Sequence, residues 1–112
     1  MFRIDETRHP ERARWGKPLE GVRVLAIEQM QALPHATQLM AQLGADVVKV
    51  EHPTSGESGR GARPAVTDEQ GRQVGATYLR NNLGKRSIGV DLKHPEGVAL
   101  IKRLVPHFDV VG

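Results

Sequence analysis

Cysteine is absent from this chain. That excludes disulfides, zinc–thiolate sites and a cysteine nucleophile, and it fits a reducing, cytoplasmic setting. Aromatic residues are sparse: Phe2, Trp15, Tyr78 and Phe108 lie too far apart to form base-stacking platforms. No apolar run approaches the length needed to cross a bilayer. The opening MFRIDETRHPERARWGKP has no apolar stretch of the kind a secretory signal carries, and Asp5, Glu6 and Glu11 argue against a transit peptide. Charge of one sign is lacking too. Sixteen Lys and Arg face thirteen Asp and Glu, a net +3, and the cations form no block. These absences weigh against nucleic acid and membrane as partners. His35, His52, His94 and His107 lack metal-ligand spacing, and no close carboxylate pair accompanies them. No metal is expected, and each is read as a surface or capping histidine.

What is present reads as an α/β domain. Residues 1–17 form a polar lead-in, and the ordered domain is expected over 18–112. In GVRVLAIEQM the apolar run predicts a strand near 22–27, buried on both faces as in a parallel sheet. QALPHATQLMAQLGAD predicts a helix with Pro34 at its first position, an apolar face of Leu39, Met40 and Leu43, and a stop at Gly44. DVVKVE predicts a second strand, 46–50. Strand, helix, strand with short links is a right-handed βαβ unit. Residues 53–76, rich in Gly, Pro, Ser and charge, are read as a long loop, and ATYLRNN as a short helical turn. SIGV predicts a third strand near 87–90. A helix from Pro95 to about Leu104 follows, capped by His94, and FDVVG predicts a fourth strand near 108–111.

In doubly wound sheets ligands gather at the carboxyl ends of the strands. Those ends are Glu28–Leu33, Glu51–Pro53 and Asp91–His94, and all three can converge on one crevice. The first turn has no GxGxxG, and GESGRG lacks the Gly-Lys-Ser/Thr of a P-loop. Gln31 is either a polar turn residue bonded to backbone or an amide aimed at a ligand carbonyl. By composition Lys85, Arg86 and Lys93 are solvated surface cations. No nucleophile stands out, so the residues alone give a polar crevice with no identified catalyst.

Two long phrases go further. PLEGVRVLAIEQMQALPHATQLMAQLGADVVKVEHPTSGESGRG and NNLGKRSIGVDLKHPEG occur in that order, followed by FDVVG. Over about residues 18–112 the chain resembles the family III CoA-transferases, which include formyl-CoA transferase, carnitine CoA-transferase and the α-methylacyl-CoA racemases. The resemblance implies the N-terminal part of a Rossmann-like, CoA-binding large domain. It implies an enzyme that moves coenzyme A between an acyl-CoA and a carboxylic acid through an aspartyl-CoA thioester, and that forms an interlocked homodimer. By the same resemblance Met30, Gln31 and Ala32 lie at the active-site turn, with Gln31 near the thioester. His52 falls where many relatives carry a CoA-contacting Arg. Val90, Asp91, Leu92 and Lys93 fall on a segment lining the CoA nucleotide, and Lys93 would meet a phosphate. Lys85 and Arg86, at the strand's other end, would be structural. Gly84, His52 and His94 depart from the Asn, the Arg and the Ser or Thr cap common in the family. The nucleophilic Asp would lie beyond Gly112, so the chain is expected to be an N-terminal fragment, inactive alone. Two alternatives stay open: an acyl-CoA racemase of the same family, or a non-catalytic CoA- or nucleotide-binding module or remnant.

Overall fold

The computed structural model describes residues 16–112, so most of the polar lead-in lies outside the described residues. Four parallel strands form one sheet: β1 (Arg23–Ala26), β2 (Asp46–Glu51), β5 (Arg86–Gly89) and β6 (Val110–Val111), in the order β5-β2-β1-β6. The register runs Leu25 to Val48, Val50 to Ile88, and Leu25 to Val111. Helices α1 (Ala32–Gln42) and α3 (Pro95–Leu104) pack on opposite faces, and α2 (Ala76–Asn81) precedes β5. This is a Rossmann-like α/β sheet with flanking helices.

Period-two alternation divides the core between those faces. Leu25, Val48, Val50, Val90 and Ile101 bury one side, with Ile88, Leu104 and Phe108 packed against them on the α3 face. Val24, Ala26, Ala45 and Val47 bury the other, against Met40 and Ala41 of α1. Helix α1 ends at a Schellman motif: Gly44 N–H donates to the Ala41 carbonyl and Ala45 N–H to the Met40 carbonyl. Gly44 sits there at φ +107, which costs a residue without a Cβ little.

Three expectations need correction. Of the apolar face expected on α1, Met40 packs against the core but Leu39 and Leu43 do not. Leu39 and Leu43 are exposed, and the buried residues are Pro34, Thr37 and Gln38. The physical reason lies beneath the helix, where polar groups of Thr37 and Pro34 meet buried charges. Helix α1 also begins earlier, at Ala32, so Pro34 is its third residue. It is tolerated there because the first helical N–H groups have no intrahelical acceptor. The stretch 53–76 is not a bare loop. It holds a 3₁₀ turn at Ser58–Gly61 and an antiparallel hairpin of β3 (Ala65–Thr67) and β4 (Gln73–Gly75). The Asp68 carboxylate organises the hairpin's turn by accepting from the amides of Gln70 and Arg72.

Candidate functional site

The carboxyl ends of β1, β2 and β5 open on a common crevice of about 380 Å³. Ile27, Glu28 and Gln29 line it from β1. His52, Gly56 and Glu57 line it from the segment after β2, and Val90, Asp91, Leu92 and Lys93 from the segment after β5. Five of the residues singled out in the sequence, His52 and Val90–Lys93, thus meet in one place. Gln31 and Ala32 open instead into a neighbouring pocket beside His35 and Arg80. Met30, between the two, stands exposed at the turn.

Local geometry gives each side chain its role. His52 Nδ1 accepts from the amides of Thr54 and Ser55, at 3.3 and 3.2 Å, so the imidazole's own N–H lies at Nε2. The Asp91 carboxylate accepts from the Lys93 amide at 2.9 Å and fixes the bend into α3. His94 caps α3, its Nδ1 accepting from the Glu96 amide at 3.3 Å. Gln31 is the N-cap residue of α1 but its side chain makes no capping bond, which leaves its amide available.

Beneath the crevice lies a set of buried charges that sequence reasoning missed. Lys49, in mid-strand, is 1% exposed. Its ammonium pairs with Glu57, donates to Asn82 Oδ1 at 2.8 Å, and lies 3.7 Å from Glu28. Lys85 reaches Glu28 at 2.5 Å and the Pro34 carbonyl at 2.8 Å, and the Thr37 hydroxyl donates to the other Glu28 oxygen. Burial pulls both lysines below the usual lysine range, against the attraction of Glu28. Lys85 is therefore no solvated surface cation. Arg86 is solvent-exposed and pairs with Asp46. Glu51 closes β2 and accepts from Arg60 at 2.7 and 2.9 Å, from Ser87 at 2.8 Å, and from Tyr78 at 3.2 Å. The Arg60 bond, more than any other, takes the Glu51 carboxyl down to about 2. Desolvation, added to the nearby Glu51 charge, pushes the Tyr78 phenol up to about 12. One signal for this network was present in the sequence: a Lys inside the buried run DVVKVE needs a buried partner.

The turn after β1 is held in an unusual shape. Met30 has φ +64, the left-handed region that non-glycine residues seldom adopt. Its N–H donates to Glu57 Oε1 at 2.9 Å, and its carbonyl accepts from Asn81 Nδ2 at 3.2 Å. Among the described residues no group of His, Asp and Glu is arranged to hold a metal, and no helix is long and apolar enough to cross a membrane.

Comparison with known proteins agrees with this arrangement. The model of CoA-transferase family III matches residues 19–112. A succinate–glutarate CoA-transferase of Agrobacterium fabrum is 47% identical over 96 residues, covering 84% of this chain and 24% of that protein. A succinyl-CoA–D-citramalate CoA-transferase of Chloroflexus aurantiacus is 44% identical over 95 residues, covering 85% and 23%. The crystal structure of a CAIB/BAIF family protein from Brucella suis superposes with a TM-score of 0.75 at 40% identity, covering 85% of this chain and 25% of that one. The chain spans about a quarter of the length of these relatives. With the family model running from Leu19 to the last residue, over the same strands that build the crevice, the chain belongs to CoA-transferase family III.

Proposed function

We propose that the chain forms the N-terminal portion of a CoA-transferase. In this reading the enzyme moves coenzyme A from an acyl-CoA to a carboxylic acid through an aspartyl-CoA thioester, with the aspartate supplied from outside these residues. It works as an interlocked homodimer in the cytoplasm. The observation that carries the reading is the crevice in which three strand ends gather His52 and Val90–Lys93.

The residues suit coenzyme A. Lys93 leaves the carboxyl end of β5 just before α3, where a phosphate is favoured. Because His94 and Glu96 already serve that helix end, the Lys93 ammonium carries most of the attraction. The Nε2–H of His52 is a donor for a phosphate or ribose oxygen, and Val90 and Leu92 give apolar surface to the rest of the ligand. Three of the four carboxylates lining the crevice are matched by cations, Glu28 and Glu57 by Lys49 and Lys85 and Glu51 by Arg60, while Asp91 accepts from the Lys93 amide. Met30, Gln31 and Ala32 form the chemical end, where the Gln31 amide orients the thioester. The curated relatives named above act on succinate, glutarate and citramalate, all dicarboxylic acids. A dicarboxylate acceptor fits here as well, its second carboxylate meeting Arg80 and His35 beside Gln31.

Two measurements test the reading. The coding sequence past Gly112 is expected to continue and to supply an aspartate. The complete protein, given succinyl-CoA and glutarate, is expected to yield glutaryl-CoA and a covalent CoA adduct visible by intact mass. A stop at Gly112, or the absence of both exchange and adduct, would sink the proposal.

A further inference from the structure

GESGRG, at residues 56–61, is not a phosphate loop, yet its Glu57 is 2% exposed and reaches across to the turn after β1. One carboxylate oxygen pairs with Lys49 and the other accepts from the Met30 N–H at 2.9 Å. Asn81, fully buried at the end of α2, donates its side-chain amide to the Met30 carbonyl. Both polar groups of the Met30 backbone are therefore gripped by side chains distant in sequence. Those side chains are held in turn. Glu57 N–H donates to Glu51 at 2.9 Å, and a Cβ at Gly59 would crowd the Glu57 carboxylate, so that carboxylate has little room to move. Met30 holds a left-handed φ without being glycine, and strain of this kind persists only where the surroundings over-determine it.

We infer that Glu57 and Asn81 form a clamp that positions the active-site turn. By fixing Met30 at positive φ they set the direction in which Gln31 leaves the backbone. They are positioning residues, acting on Gln31 through the Met30 backbone. The inference rests on the reading of Gln31 as the residue facing the thioester, and it adds a reason for the buried charges below: Lys49 neutralises Glu57 and so lets a carboxylate serve as a fixed, buried acceptor.

The test uses the complete transferase. Glu57→Gln keeps the side-chain volume but leaves one oxygen, which Lys49 claims, so the Met30 amide loses its acceptor. Its hydrogen exchange, followed by mass spectrometry, should speed at least tenfold. The same variant should lower kcat at least tenfold; because Glu57 also borders the crevice, the split between kcat and KM is read on Asn81→Ala. Asn81→Ala leaves every buried ion pair intact and keeps the test open if Glu57→Gln does not fold. It should lower kcat by a smaller factor and leave the KM for acyl-CoA within twofold, since Asn81 does not line the crevice. Met30→Gly supplies the decisive control, since glycine adopts positive φ without a clamp. Combining it with Glu57→Gln should give a loss no larger than the worse single variant. Multiplying losses, or unchanged exchange at Met30 in both clamp variants, would overturn the inference. Gln31→Ala separates the two ideas: a normal kcat there refutes the role of Gln31, while exchange at Met30 still reports on the clamp.

Discussion

Three cations border β5, and their surroundings assign them different work. Lys85 is spent on Glu28 inside the protein, Arg86 pairs with Asp46 in solvent, and Lys93 faces the crevice. Lys93→Ala in the complete enzyme should therefore weaken CoA binding by about 1–3 kcal/mol, the scale of a charged hydrogen bond. It should raise KM more than it lowers kcat. Gln31→Ala should do the reverse, with CoA affinity by calorimetry nearly unchanged. Identical profiles for the two variants would contradict the division into phosphate end and chemical end. Glu51 makes a separate prediction. Its carboxyl lies at about 2 when folded, against an ordinary 4.5, chiefly through Arg60. A depressed folded value means that the ionised group stabilises the fold above pH 4.5, and that this contribution is lost as pH falls from 4.5 toward 2. Urea titrations across that interval should show falling stability, and Glu51→Gln should flatten the slope. An equally steep slope in the variant would place the acid sensitivity elsewhere.

At the scale of elements, the positions of the sheet's strands along the chain and their parallel sense were legible, because apolar segments bounded by turn residues alternate with helix-length links, whereas the order across the sheet was not. Helix α1 was legible in position but not in facing. Its exposed leucines outweigh its buried Thr37 and Gln38 in any hydrophobic pattern, and the reason for burying polar residues is a charge set from other elements. The hairpin within 53–76 escaped for a different reason. Its strands are three residues each, and AVT and QVG are too short to show a period. Of the site, the segments at the strand ends were legible, whereas Glu57 and Asn81 act through contacts 27 and 51 residues distant in sequence. The link from β5 to α3 yields a prediction at this scale. Gly97 lies so close to the Asp91 carbonyl that a Cβ there would fall on the oxygen. Gly97→Ala should cost about 1–3 kcal/mol, the usual penalty for overpacking, by pushing α3 away from the bend that carries Asp91–Lys93. Thermal melts should show the loss, and CoA affinity should fall with it. A variant with wild-type melting would mean that this bend has slack.

At the scale of the molecule, the described residues leave much apolar surface in water. Leu39 and Leu43 on α1, Leu79 and Leu83 around the end of α2, and Val110 and Val111 on β6 are all exposed. The sheet has open edges as well. β6 pairs with β1 over two residues, and β5 has β2 on one side alone. Unpaired edges and contiguous apolar patches promote association. Nine buried hydrophobic residues among those described make a small core to set against that tendency. Expressed by itself, the 112-residue chain should self-associate as its concentration rises, melt over a broad range, and show no transferase turnover. Under the proposed function, the complete protein should melt cooperatively, because further residues and a second copy would cover Leu39, Leu43 and the sheet edges. Sedimentation velocity across a concentration series, paired with calorimetry of both forms, tests the difference. A chain that stays monomeric at high concentration and unfolds in one sharp transition would show that these surfaces need no cover.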